Sequence, residues 1–174
     1  MLALKKRKNP YTGFLYVGLM IKNNNPYLIE YNIRMGDPEC QVILPRLKTD
    51  LIKIFNNAVS NKLGKMKIVW KKHKSMTVVL CTKGYPGNYK KNIKINNINK
   101  IKISKSDYIY HAGTKYKKNQ LLSNGGRVLN ITSTGNNFFK IRKKIIKIIK
   151  KLNWKSGFYR KDIGWKIINK NENN

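Results

Sequence analysis

Two spacings of apolar residues run through this chain, and each predicts a different kind of element. Phe14 to Ile21 (FLYVGLMI) is almost wholly apolar and predicts a strand. Asn23-Asn24-Asn25-Pro26 predicts a turn. The chain then re-enters with Tyr27, Ile29, Tyr31 and Ile33 alternating with Leu28, Glu30, Asn32 and Arg34. A period of two sends these sets to opposite faces of a strand. The first set is aromatic and β-branched, so its face is expected to be buried. Gly36 permits a sharp turn, and Pro38 is expected as the first residue of a short helix.

The period then lengthens. Thr49 or Asp50 is placed to cap a helix running to about Val59, with Leu51, Ile54, Phe55 and Ala58 on its apolar side. Residues 62–74 read as a connection, with Trp70 as a packing anchor and His73 exposed in a lysine run. MTVVLCT at 76–82 predicts a strand that leads into the Gly84-Tyr85-Pro86-Gly87 turn. Lys90 to Lys105 sets Ile against Lys and Asn and predicts weak, lysine-edged strands. Strands are expected at 107–111, from Leu121, and at 127–132, with a polar turn at 116–120. Asn136 or Asn137 caps a predicted helix over 138–152, whose apolar positions 138, 141, 145, 148, 149 and 152 form one stripe. From Asn169 onward the tail is polar and expected to fray. The fold class is therefore α+β in two pieces. Residues 1–63 form antiparallel strands backed by a helix, and residues 64–174 form a small β-rich domain closed by one long amphipathic helix.

Charge adds a contrast. The 174 residues carry a formal net charge of +31. Such a charge suggests nucleic acid or an anionic surface, but Lys, Asn and Ile dominate while Ala occurs only at 3, 58 and 112. Those abundant residues share AT-rich codons, so biased composition accounts for the charge without a nucleic-acid partner. Residues 90–105 also lack the interleaved aromatics of a base-stacking surface. Cys40 and Cys81 have neither disulfide nor zinc spacing. With no spanning apolar run and no signal peptide, the expected location is the cytoplasm, without membrane association.

Against that background, Pro26 to Leu47 sums to −1, with Glu30, Asp37 and Glu39 against Arg34 and Arg46. Glu30, Asn32 and Arg34 share a predicted strand face. A carboxylate and an amide carbonyl are hard oxygen ligands of the kind Mg²⁺ or Mn²⁺ prefers. Arg34 suits a phosphate or acyl-phosphate oxygen. Spacing alone fits a solvated strand face equally well.

The runs GFLYVGLMI at 13–21 and IEYNIRMGDPECQVILPRL at 29–47 resemble the end of the ATP-grasp domain in the phosphoribosylamine–glycine ligase family. GYPG at 84–87, HAGT at 111–114, GGRVL at 125–129 and YRKDIG at 159–164 are similar to motifs of that family's C-terminal domain, in the same order. The resemblance covers Gly13 to Ile168. It implies a ligase that joins glycine to 5-phosphoribosylamine with cleavage of ATP, through glycyl phosphate. It implies that Glu30 and Asn32 bind Mg²⁺ or Mn²⁺ on the ATP phosphates and that Arg34 steadies the acyl phosphate. It further implies that Asp37 and Pro38 shape the loop beside the acceptor, while Gly125, Gly126 and Arg127 face the phosphoribosyl group through backbone N–H donors.

Cys40 stands where the family usually has Thr. The family's glycine-rich amino-terminal domain and its ATP-clamping lysines have no counterpart in the 174 residues. The expectation is a segment that is inactive alone and works with a separately encoded amino-terminal part. It should expose a sheet edge or apolar patch near its amino terminus. The alternatives are a basic nucleic-acid-binding module and a non-catalytic remnant.

Overall fold

The computed structural model describes Leu4 and residues 6–172. The chain forms two compact units. One takes the residues up to Cys40 together with Leu47–Lys71, and the other takes Gln41–Arg46 and the residues from Lys72 onward. The changeover thus falls at Lys71–Lys72, eight residues beyond the break expected from the sequence.

In the first unit, β1 (Tyr16–Lys22) and β2 (Asn25–Asn32) form an antiparallel hairpin. Asn23 and Asn24 turn the chain with φ of 49° and 60°, the left-handed pair that a two-residue hairpin loop needs. The pairing register skips Ile29, so β2 carries a bulge. A short helix, α1 (Cys40–Ile43), follows. Pro38 does not open it: it lies in the turn before α1, and the Asp37–Pro38 peptide is cis. Asp50 caps α2 (Leu51–Val59) by accepting from the Lys53 N–H at 2.8 Å. Thr49 serves elsewhere, its hydroxyl accepting from the Val69 N–H at 2.7 Å. Phe14 meets Phe55 edge-on at 5.6 Å. Trp70 pairs with Leu47 but stays 47% exposed, so it anchors less than its size led us to expect.

The hairpin's expected buried face is not buried. Every residue of β1 and β2 is exposed or half-buried except Gly18. The apolar patch expected near the amino terminus is present. Met20, Ile29 and Tyr31 remain 58%, 62% and 62% exposed.

The second unit holds the hydrophobic core. Its antiparallel sheet runs β4 (Asp107–His111), β7 (Arg127–Gly135), β3 (Lys74–Thr82), β8 (Gly157–Phe158) in spatial order. Met76, Val78 and Leu80 stand opposite Ser133, Ile131 and Leu129 and share one face with them. The helix α3 (Phe138–Leu152) buries Ile141, Ile145, Ile148, Ile149 and Leu152 in the same cluster. Each fully buried aliphatic side chain stabilises the fold by about 1.5–3 kcal/mol. Asn137 caps α3 through the Lys140 N–H at 2.9 Å, and Asn153 ends it in the left-handed conformation.

The other face of β3 and β7 is polar. The Thr132 hydroxyl donates to Thr77 Oγ1 at 2.8 Å, and Thr77 donates to the Ile131 carbonyl at 3.3 Å. Beside them Asn130 is 1% exposed, and neither Oδ1 nor Nδ2 has a partner among the described residues. A buried amide without partners costs about 1–3 kcal/mol. Asn130→Leu, of similar shape, is therefore expected to raise the unfolding midpoint in a urea titration, by about 1 kcal/mol of stability. A drop would contradict this account of the polar face.

Three segments depart from the sequence reading. Residues 90–105 form no strand: they hold one isolated bridge, Lys94 to Leu122, and a 3-10 turn at Ile98–Lys100. Asn92 and Asn97 take φ of 62°, which breaks the extended run. The expected turn at 116–120 is instead a hairpin of β5 (Thr114–Lys117) and β6 (Gln120–Ser123). Helix α4 (Trp165–Glu172) continues through residues expected to fray. His73, expected in solvent, is half-buried with its Nε2 shielded and unpartnered among the described residues.

Candidate functional site

The bulge decides what faces what on the hairpin. Opposed residues of an antiparallel pair share a face. Tyr16 opposes Asn32, Gly18 opposes Glu30 and Met20 opposes Tyr27, so these six share one side. Val17, Leu19 and Ile21 with Tyr31, Leu28 and Pro26 share the other. Glu30 and Asn32 therefore project together, as expected. Tyr27 has crossed to their side because the bulge at Ile29 shifts the alternation by one.

Gly18 leaves room for the Glu30 side chain, since a Cβ there would lie 3.0 Å from Glu30 Cγ. Tyr16, beside them, donates its hydroxyl to Glu39 Oε1 at 3.2 Å. Burial, then the charge and hydrogen bond of Glu39, then the charge of Glu30, push the Tyr16 phenol above its ordinary pKa. Glu39 folds back over Gly36, where a Cβ would fall 2.4 Å from Glu39 Oε2 and 3.0 Å from Tyr16 Cε2. Gly36 O also accepts the Cys40 N–H at 2.9 Å, which closes the loop that holds Asp37 and Pro38. Burial first, and the Asp37 charge second, raise the Cys40 thiol pKa.

Arg34 departs from the expectation. β2 ends at Asn32, and Arg34 sits in the bend that follows, exposed, with Nη1 donating to the Met35 carbonyl at 2.7 Å. It adjoins the strand that carries Glu30 and Asn32 rather than continuing it. Tyr16 and Glu39 escaped the sequence reading. A two-residue turn without a bulge would set Tyr16 against Tyr31 and hide its place beside Asn32.

In the second unit, Gly125, Gly126 and Arg127 join the other glycine motifs. Thr82 holds the turn from below: its hydroxyl donates to Gly125 O at 2.9 Å and its N–H to Gly126 O at 2.8 Å. The Gly113 N–H donates to Arg127 O at 2.9 Å, and the Asn124 N–H to Gly113 O at 2.7 Å. Gly126 is buried beneath Tyr85, whose Cδ2 would lie 2.0 Å from a Cβ on Gly126. This corrects the expectation for Gly126: its smallness serves packing, and the turn offers solvent Asn124 and the half-buried Gly125. Gly126→Ala must displace the Tyr85 ring, and overpacking of that kind costs about 1–3 kcal/mol. Thermal unfolding is expected to show the loss, and Tyr85→Ala in the same chain to restore part of it. His111 is exposed, with Nδ1 3.0 Å from Thr114 Oγ1. A cleft of about 1010 Å³ in this unit takes His111, Tyr116, Trp154 and three lysines but none of the expected site residues.

The donor set was tested for metal. Among the described residues no group of three or more His, Cys, Asp or Glu side chains is placed to hold an ion. Glu30 and Asn32 fit a narrower role, because Mg²⁺ usually takes one or two carboxylates and completes its shell with phosphates and water.

Known proteins match both halves. A family profile described as phosphoribosylglycinamide synthetase, ATP-grasp (A) domain, matches residues 1–40, and the C domain of the same synthetase matches residues 75–166. The phosphoribosylamine–glycine ligase of Agrobacterium fabrum is 43% identical over 166 residues, 95% of this chain and 39% of the relative. That of Brucella melitensis is 41% identical over 165 residues, with the same two shares. The trifunctional purine biosynthetic protein adenosine-3 of Gallus gallus is 39% identical over 167 residues, 95% of this chain and 17% of its own. A crystal structure of the phosphoribosylamine–glycine ligase of Thermotoga maritima superposes with a TM-score of 0.70 at 32% identity, covering 92% of this chain and 39% of that one.

Fold and matches together define the end of an ATP-grasp ligase domain followed by a β-rich C domain. The chain belongs to the phosphoribosylglycinamide synthetase family. It spans about two fifths of the length of the bacterial relatives it matches. Among the described residues, no helix is long and apolar enough to cross a membrane.

Proposed function

We propose that this chain supplies part of a phosphoribosylamine–glycine ligase, which joins glycine to 5-phosphoribosylamine while ATP becomes ADP and phosphate. The observation that carries the reading is the common face of Glu30 and Asn32 in a chain of this family. In the proposed mechanism Glu30 and Asn32 hold Mg²⁺ or Mn²⁺. That ion, when bound, neutralises charge on the ATP phosphates. Arg34 neutralises the acyl-phosphate oxygens as glycine's carboxylate takes the γ-phosphoryl group. Asp37 and Pro38 shape the loop beside the amine that displaces phosphate. Gly125 and Arg127 contact the phosphoribosyl group, with Gly126 closing the turn. Such a reaction gains most from positioning and from charge neutralisation.

The partner in this reading is the remainder of the ligase, supplied by polypeptide outside residues 1–174. The pure chain, given glycine, 5-phosphoribosylamine, ATP and Mg²⁺, is expected to release no phosphate. Mixed with the part of the Thermotoga maritima ligase that it does not cover, it is expected to release phosphate that depends on both substrates. Turnover by the chain alone, or none in the mixture, would overturn the reading.

A further inference from the structure

The hairpin has two faces of different chemistry, and the proposed function uses only one. The side with Glu30, Asn32 and Tyr16 carries the polar groups. The opposite side, with Val17, Leu19, Ile21, Leu28 and Tyr31, carries no charged group and is 40–62% exposed. A contiguous exposed apolar face marks an interaction surface.

Composition argues that the face is maintained. Lys and Arg make up 38 of 174 residues, yet Lys22 is the sole cation between Thr12 and Ile33. Codon-driven lysine enrichment has passed over this stretch. Exposed strand edges are normally guarded by inward charges or Lys, and here the guards are missing. A second copy of the chain is a poor occupant, because each copy carries +31 and two would repel.

From this we infer that the Val17–Leu19–Tyr31 face is the docking surface for the rest of the ATP-grasp domain, which seats an apolar surface there and leaves the Glu30–Asn32 face open to nucleotide. The inference rests on the reading of this chain as one part of a larger ligase. The A-domain match at residues 1–40 and the two-fifths coverage of the relatives say what the missing chemistry is: more of the same domain. It adds which side is covered and why covering it does not close the site.

The test is assembly, measured by sedimentation of the 174-residue chain with the uncovered part of the Thermotoga maritima ligase. Val17→Thr with Tyr31→Thr keeps strand propensity while removing apolar area. This pair is expected to weaken association at least 30-fold. Ile52→Thr with Val59→Thr, on exposed helix positions of the same unit, is expected to change it less than 3-fold, as is Glu30→Gln. Far-ultraviolet circular dichroism of each variant checks that the strands remain. If the unmodified chain assembles and V17T/Y31T assembles equally well, the docking face is wrong while the larger reading stands. If the unmodified chain does not assemble, both fall. A self-dimer of the chain alone that V17T/Y31T abolishes would also overturn the inference.

Discussion

Glu30→Gln is expected to lower turnover of the reconstituted ligase by about 10²–10³-fold, the size of loss that follows removal of one preorganised charge-stabilising group. Glutamine keeps the shape and one oxygen but loses the charge that draws a divalent cation. The Mg²⁺ concentration for half-maximal rate is expected to rise as well, since hard cations need anionic oxygen. Asn32, a neutral ligand on the same face, should contribute less, with Asn32→Ala costing about tenfold. Glu30→Gln leaves the fold alone, because Glu30 is exposed and opposes only Gly18. Phosphate release across a Mg²⁺ series would measure both effects. A Glu30→Gln mixture with unaltered Mg²⁺ dependence would remove the metal assignment while leaving the family membership in place.

Asp107→Ala is expected to destabilise the second unit by about 3–5 kcal/mol, as removal of one member of a buried charged network does. Asp107 is 8% exposed at the start of β4. Its Oδ1 accepts from the Ser133 hydroxyl at 2.5 Å, and its Oδ2 from the Ser104 hydroxyl at 2.6 Å and the Ser104 N–H at 3.2 Å. Lys144 Nζ on α3 stands 3.7 Å away. Burial pushes this carboxyl's pKa up, but the bonds from Ser104 and Ser133 and the Lys144 charge outweigh it and leave the pKa below its ordinary value. A depressed carboxylate contributes stability that is complete above its unfolded pKa, about 3.9, and is lost as pH falls through the folded value. Urea titrations between pH 2 and pH 7 should therefore show an acid-side loss that Asp107→Asn removes. An unchanged acid limb in Asp107→Asn would assign the loss to other groups.

What was legible in the sequence were the elements whose pattern is long and locally capped. The helix at 138–152 announced itself through a stripe of isoleucines and an asparagine cap, and its apolar side meets the sheet as expected. DYIYH at 107–111 was bounded correctly because the alternation was short and clean. The hairpin strands were readable, but their burial was not. Tyr27, Ile29 and Tyr31 promise a covered face, and no described residue covers it. The bulge at Ile29 has no sequence signal of its own, so the placement of Tyr16 beside Asn32 was hidden with it. β5 was missed because TKYK offers one apolar residue to four positions. The isoleucines of 93–103 mimicked strands, yet Ile95 is buried and Ile98 and Ile101 pack against the core from an irregular segment.

The left-handed turns say something about how such a chain ages. Of nine non-glycine residues at positive φ, seven are asparagine, including the pair at the hairpin tip and the one that ends the long helix. After glycine, asparagine is the residue that tolerates this conformation best. Mutational pressure toward asparagine thus finds harmless lodging in corners of the backbone, while the strands that carry the chemistry stay closed to lysine. Drift is absorbed at the bends and refused at the edges.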